Sequence, residues 1–159
     1  MTRAGLCLTA ASLLLAGCAT RAPDMVPTRL HTGQSWVITR PLIAEQVLDT
    51  CSRDSPAHHN GEVTGFWAPS RQQIEQMEAQ LDRLQPVIAA PTQFDRQYVG
   101  IESDGRRLIY INGFRLPDHS DLNPGKTAVR VCDGGTDFWG AVYDPQSGEF
   151  SHIQTNAPN

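Results

Sequence analysis

The chain has 159 residues, of which 40% are hydrophobic and 19% charged, and its formal net charge is −4. With Lys126 as its one lysine and its arginines scattered, it has no electrostatic footprint for nucleic acid, so basic, neutral or small partners are expected. There is no internal repeat or low-complexity tract, and the length suits one domain with a real core rather than two.

At the start of the chain Arg3 precedes an apolar run over residues 6–16, which ends in Leu15-Ala16-Gly17-Cys18. A bilayer core needs about 20 apolar residues, so this run is too short to span and reads as a secretory signal. Its last four residues resemble the lipobox of bacterial lipoproteins. The resemblance implies that peptide 1–17 is removed and that Cys18 becomes the mature first residue, carrying a diacylglycerol on its sulfur and an acyl chain on its new amino terminus. Several acyl chains make a durable anchor where one does not. Position 19 is alanine, whereas an aspartate there commonly signals inner-membrane retention in that family. The resemblance therefore implies the periplasmic face of the outer membrane, with the inner membrane as the alternative. Arg3 leaves with the signal and no acid does, so the mature chain carries 12 basic and 17 acidic residues, a balance of −5.

Of four cysteines, Cys7 is discarded with the signal and Cys18 takes the lipid, which leaves Cys51 and Cys132. In an export compartment they are expected to form one structural disulfide, because a redox-active pair usually sits close together as C-x-x-C. Closing so long a loop stabilises a fold by up to about 4.5 kcal/mol in the chain-entropy model.

Residues 18–35 hold the lipidated cysteine and a tether with Pro23 and Pro27 and neither helical nor strand periodicity. Fully stretched, the seventeen residues after Cys18 reach at most roughly 60 Å. One globular domain is expected over residues 36–159. It opens with a short β-branched run at residues 36–39 and a brief helix at 42–48, followed by an exposed loop over 52–61. The clearest helix spans residues 70–85. Pro69 precedes it, Ser70-x-x-Gln73 has the form of a capping box, and Ile74, Met77, Leu81 and Leu84 share one face. Pro86 stops it.

Strands are expected at residues 98–102 and 107–112, joined at Asp104-Gly105, with Ile101 opposite Leu108 and Val99 opposite Tyr110. Further strands follow at 127–132, 138–143 and 149–154, separated by the turns Asp133-Gly134-Gly135 and Asp144-Pro145-Gln146-Ser147-Gly148. The longest irregular link covers residues 114–126. The predicted fold is α+β: an antiparallel meander of four to five strands with one main helix packed on one face. The pattern Trp139-Gly140, Tyr143-Asp144-Pro145 and Gly148-Glu149-Phe150 is similar to small exported proteins of unknown function, a resemblance that spans about residues 45–154 and carries no activity.

Imidazoles at His31, His58, His59, His119 and His152 suit zinc or copper. Adjacent histidines on an extended segment point opposite ways, however, and no metal-ligand spacing occurs, so no metal or other cofactor is expected. Asp133 and Asp137 flank a turn that could hold a hard cation, but a tight turn explains its glycines. His119 and His152 could act as bases oriented by Asp121 or Asp133, yet no nucleophile elbow or free thiol accompanies them. No catalytic residue is therefore assigned. Strand alternation puts Phe138 and Val142 on one sheet face and Trp139 with Tyr143 on the other. One helix covers only one face, so either residues 36–50 cover the other or it is open; an open aromatic surface of Trp139, Tyr143 and Trp67 is the candidate binding surface, set against ordinary core packing.

The expectation is a lipid-anchored, non-enzymatic binding module with a protein or cell-envelope partner, in its most concrete form an inhibitor or immunity protein against a cell-wall-degrading enzyme. Its acidity fits this reading, since many such enzymes are basic. The alternatives are a metal-dependent envelope hydrolase that uses the loop histidines with Asp133 and Asp137, and a structural accessory of an outer-membrane assembly.

Overall fold

The Asp104-Gly105 hairpin is the centre of the molecule. In the computed structural model, which describes residues 33–50, 56, 61–118 and 120–156, strands β3 (Asp95–Ser103) and β4 (Arg106–Phe114) pair along their full length. Ile101 faces Leu108 and Val99 faces Tyr110, the register the sequence implies. Asp104 and Gly105 have φ of 49° and 72°, both left-handed, as a two-residue turn matched to the strand twist requires. Beyond β4 lie β5 (Phe138–Asp144) and β6 (Glu149–Thr155), each antiparallel to its neighbour.

The other edge of β3 corrects the meander. β1 (Ser35–Val37) runs parallel to β3 at residues 96–98, and β2 (Gly65–Trp67) runs antiparallel to it at residues 100–102. The sheet is therefore mixed and six-stranded, and the class remains α+β. At three residues β2 is too short to show alternation. The space for it comes from Gly100, where a Cβ would lie 2.2 Å from the carbonyl oxygen of Trp67.

The strand expected at residues 127–132 does not form. Both edges of β4 are taken, by β3 and β5, so the segment lies across one face of the sheet as an irregular strap. Two buried side chains replace its ladder. Gln97 Nε2 donates to the carbonyls of Pro124 and Thr127 at 2.6 and 2.7 Å, its Oε1 accepts from Val129 N at 3.0 Å, and Asn112 Nδ2 donates to Val129 O at 2.9 Å. Four backbone polar groups of the strap are thus satisfied without a strand partner.

Both faces of the sheet are covered, one by the main helix and the other by residues 38–48 with Val63. One face carries Tyr98, Ile109, Ile111, Trp139, Ala141 and Tyr143 against Met77, Leu81, Leu84 and Ile88. The opposite face carries Val99, Ile101, Leu108, Tyr110 and Val142 against Ile38, Val63 and helix α1 (Pro41–Leu48), which supplies Ala44, Val47 and Leu48. Pro41 stands in the first helical turn, where its missing N–H costs no intrahelical bond.

The long helix splits. α2 spans Arg71–Glu78, with the Ser70–Gln73 capping box formed in both directions, and Leu81–Leu84 continues as a 3-10 turn. The tighter winding eclipses positions three apart, so Leu81 and Leu84 both reach the core. Gln80 stands at the break, where its Nε2 donates to Tyr143 Oη at 3.0 Å.

Candidate functional site: a polar cleft at the hairpin end of the sheet

Alternation and register assemble this site. Ser103 pairs with Arg106 and Asp144 with Glu149, while Ser151 stands opposite Val142. The parity of these positions puts their side chains on the face that carries Leu108 and Val142. Together with Glu62, Asp104 and His152 they line a cleft of about 260 Å³ beside the two hairpin turns.

His152 reaches the cleft through a β-bulge. In an uninterrupted strand it would point away from Ser151. The register of β5 and β6 shifts between Gly140 and Val142, and His152 adopts a φ of 50°. The imidazole turns to the cleft side, and its Nδ1 lies 3.1 Å from Ser151 Oγ. A left-handed non-glycine residue costs of order 1 kcal/mol or more, a strain that a bulge can hold.

Asp144 is the best-fixed acid of the cleft. Its Oδ1 accepts from the backbone N–H groups of Gln146 and Ser147 at 2.8 and 3.4 Å. Its Oδ2 faces the Arg106 guanidinium at 3.5 Å, a loose contact beside the usual 2.7–2.9 Å for a charge-assisted bond. On the rim, Arg83 holds Glu149 at 2.8 Å and donates to Gly148 O at 2.6 Å, which ties the β5–β6 turn to the 3-10 segment.

A second recess, of about 320 Å³, lies at the far end of the sheet between Gln93, Asp95, Phe114, Arg115, Leu116 and Asp118. There the Arg115 guanidinium stacks 3.8 Å from the centre of the Phe94 ring and pairs with Asp137 at 3.3 Å. A third polar group is structural. Buried Arg96 donates from Nε to Tyr98 Oη at 2.7 Å and from its terminal nitrogens to the carbonyls of Gly33, Thr92 and Phe94. Tyr98 Oη donates to Glu78 at 2.8 Å. Burial raises the Tyr98 phenol above its ordinary value, Glu78 adds to the rise, and Arg96 opposes it.

The structure brings the three aromatics of the candidate binding surface together, but inside the protein. Trp139 is 0% exposed, Tyr143 is 2% exposed, and Trp67 packs half-buried on the same cluster. Trp67 Nε1 donates to the carbonyls of Ile101 and Leu108, both at 3.1 Å. α2 and the 3-10 turn cover this face, so of the two alternatives Trp139 and Tyr143 follow ordinary core packing, with Trp67 half-buried at its edge.

Asp133 and Asp137 bracket a 3-10 turn over Gly135–Asp137, and Asp137 is paired with Arg115. Among the described residues no group of three histidines, cysteines or acids could hold a metal ion, and no helix is long and apolar enough to cross a membrane. Cys18, Cys51, His31, His58, His59 and His119 lie outside the described residues. Asp121 is exposed on the irregular link. The cleft was not anticipated from sequence. Its available signals were the Asp104-Gly105 and Gly148 turns, which converge only once the register is known.

No family description, curated protein or solved structure matches this chain.

Proposed function

We propose that this chain is a lipid-anchored lipoprotein on the periplasmic face of the outer membrane, a non-enzymatic binding module whose concrete role is to restrain a basic cell-wall-degrading enzyme. The observation that carries this reading is the charge of the cleft: Glu62, Asp104, Asp144 and Glu149 outnumber Arg106, the one guanidinium among the described lining residues, together with Arg83 on the rim. An acidic surface on a rigid sheet steers a basic partner toward it and fixes its orientation. The lipobox-like Leu15-Ala16-Gly17-Cys18 supplies the address.

The disulfide belongs to the same reading. We propose that Cys132 and Cys51 form one disulfide. Arg130, two residues before Cys132, pairs with Asp49, two residues before Cys51, at 2.8 Å and also donates from Nε to the Asp49 carbonyl at 2.8 Å. These contacts bring the two chain segments side by side.

The test has two arms. Metabolic labelling with a radioactive fatty acid in a Gram-negative host should mark the wild-type chain and leave Cys18→Ser unlabelled. Titration of the purified protein against a panel of lysozymes and amidases should find at least one that is bound and inhibited. The anchor is refuted by an unlabelled wild type. The inhibitor role is refuted by a panel with no binder.

A further inference from the structure

The lining of the hairpin-end cleft narrows the ligand that it can hold. Four carboxylates disfavour a free anion, and among the described residues no three ligating groups converge on a point as a cation would need. Polar and charged side chains share the wall with Leu108 and Pro56, so a purely aliphatic ligand would strand hydroxyls and charges. A volume of about 260 Å³ falls below the 300–1,000 Å³ typical of sites for whole cofactors or drug-sized molecules.

A hydroxyl-rich ring meets all four conditions. Each hydroxyl both donates and accepts, so one can bond a guanidinium and a carboxylate at the same time. Arg106 and Asp144 offer that pair, and their loose 3.5 Å contact leaves both with bonding capacity. Asp144 is preorganised, because two backbone N–H groups hold its other oxygen. On the neighbouring strand the bulge delivers Ser151 and His152 side by side, so that a hydroxyl and an imidazole face the same space. A guanidinium, a fixed carboxylate, a hydroxyl and an imidazole therefore offer both donors and acceptors to a set of vicinal hydroxyls.

We propose that this cleft binds a single sugar ring of a glycan through Arg106, Asp144, Ser151 and His152. This deepens the reading of the chain as an envelope binding module and rests on it. The glycan would come either from the wall or from another polysaccharide, and two probes separate these sources.

The experiment is a titration of the full chain in detergent micelles, followed through its backbone amide resonances, with the trimer of N-acetylglucosamine and, separately, with maltotriose. Saturable shifts centred on Ser151 and His152 are expected with at least one probe. The N-acetylglucosamine arm alone would mark a wall glycan, and the maltotriose arm alone another polysaccharide. Arg106→Gln, Asp144→Asn and Ser151→Ala should each weaken binding by about 5- to 10-fold. His152→Gly removes the imidazole while relieving the left-handed backbone, so it should stay folded and still bind more weakly. No saturable shift with either probe, or affinity unchanged in all four variants, overturns the sugar site. If the sugar site fails while a wall-degrading enzyme is still bound, the module reading stands alone. If both fail, both fall.

Discussion

Gln97 and Asn112 face each other across β3 and β4, and their side-chain amides bond at 3.2 Å in the interior. Each amide is shared between its partner and the strap, so this pair holds residues 124–129 where a strand was expected over 127–132. Truncating either residue strands several buried polar groups at once. Gln97→Ala should cost about 3 kcal/mol, read as a lower midpoint in urea unfolding. The Val129 amide should lose hydrogen-exchange protection more than the amides of β4 do. Equal loss at both places would remove the strap from the role described.

Gly113 lies under the indole of Trp139, and a Cβ there would sit 2.0 Å from a ring carbon. Trp139 is wholly buried and cannot retreat without disturbing Phe94, which packs edge-on at 5.9 Å. Gly113→Ala should therefore destabilise by about 3 kcal/mol and change the near-ultraviolet signature of the tryptophan. A variant as stable as the parent would show that the close approach is not obligatory.

Ser70 caps α2, accepting from Gln73 N at 3.3 Å while Gln73 Oε1 accepts from Ser70 N at 2.9 Å. Ser70→Ala should lower stability by about 1 kcal/mol, and Ser70→Asp should restore most of it. Equilibrium denaturation of the three proteins side by side makes the comparison.

Tyr98 makes the stability depend on alkali. Its folded-state value is raised above 10.0, mainly by burial, so between the two values the folded chain holds a proton that the unfolded chain releases. Its contribution is intact below pH 10 and falls as the pH climbs beyond it. Tyr98→Phe removes this dependence and costs about 1–2 kcal/mol at neutral pH by releasing Arg96 and Glu78 from the phenol. Thermal melts at pH 7 and near pH 11 should converge for the two proteins as the pH rises. Parallel shifts at both would contradict the assignment.

Local chemistry dictates much of this fold. Asp104-Gly105 permits left-handed angles and so sets the central hairpin and its register. Ser70 and Gln73 start α2, and the spacing of Ile74, Met77, Leu81 and Leu84 marks its buried side. Alternation along β5 correctly separates Phe138 and Val142 from Trp139 and Tyr143. These are short-range effects, legible because neighbours in the chain are also neighbours in space.

Only the tertiary structure decided the rest. Residues 127–132 have the composition of a strand but find no free edge, and two buried amides far from them in sequence bond Thr127 and Val129 instead. Where the helix tightens, Gln80 donates to Tyr143, 63 residues away in the chain. Whether Trp139 and Tyr143 are surface or core depends on whether both sheet faces are covered, a property of the packed whole. The cleft arises because two turns and a bulge meet on one face, a convergence set by strand order that no local pattern encodes.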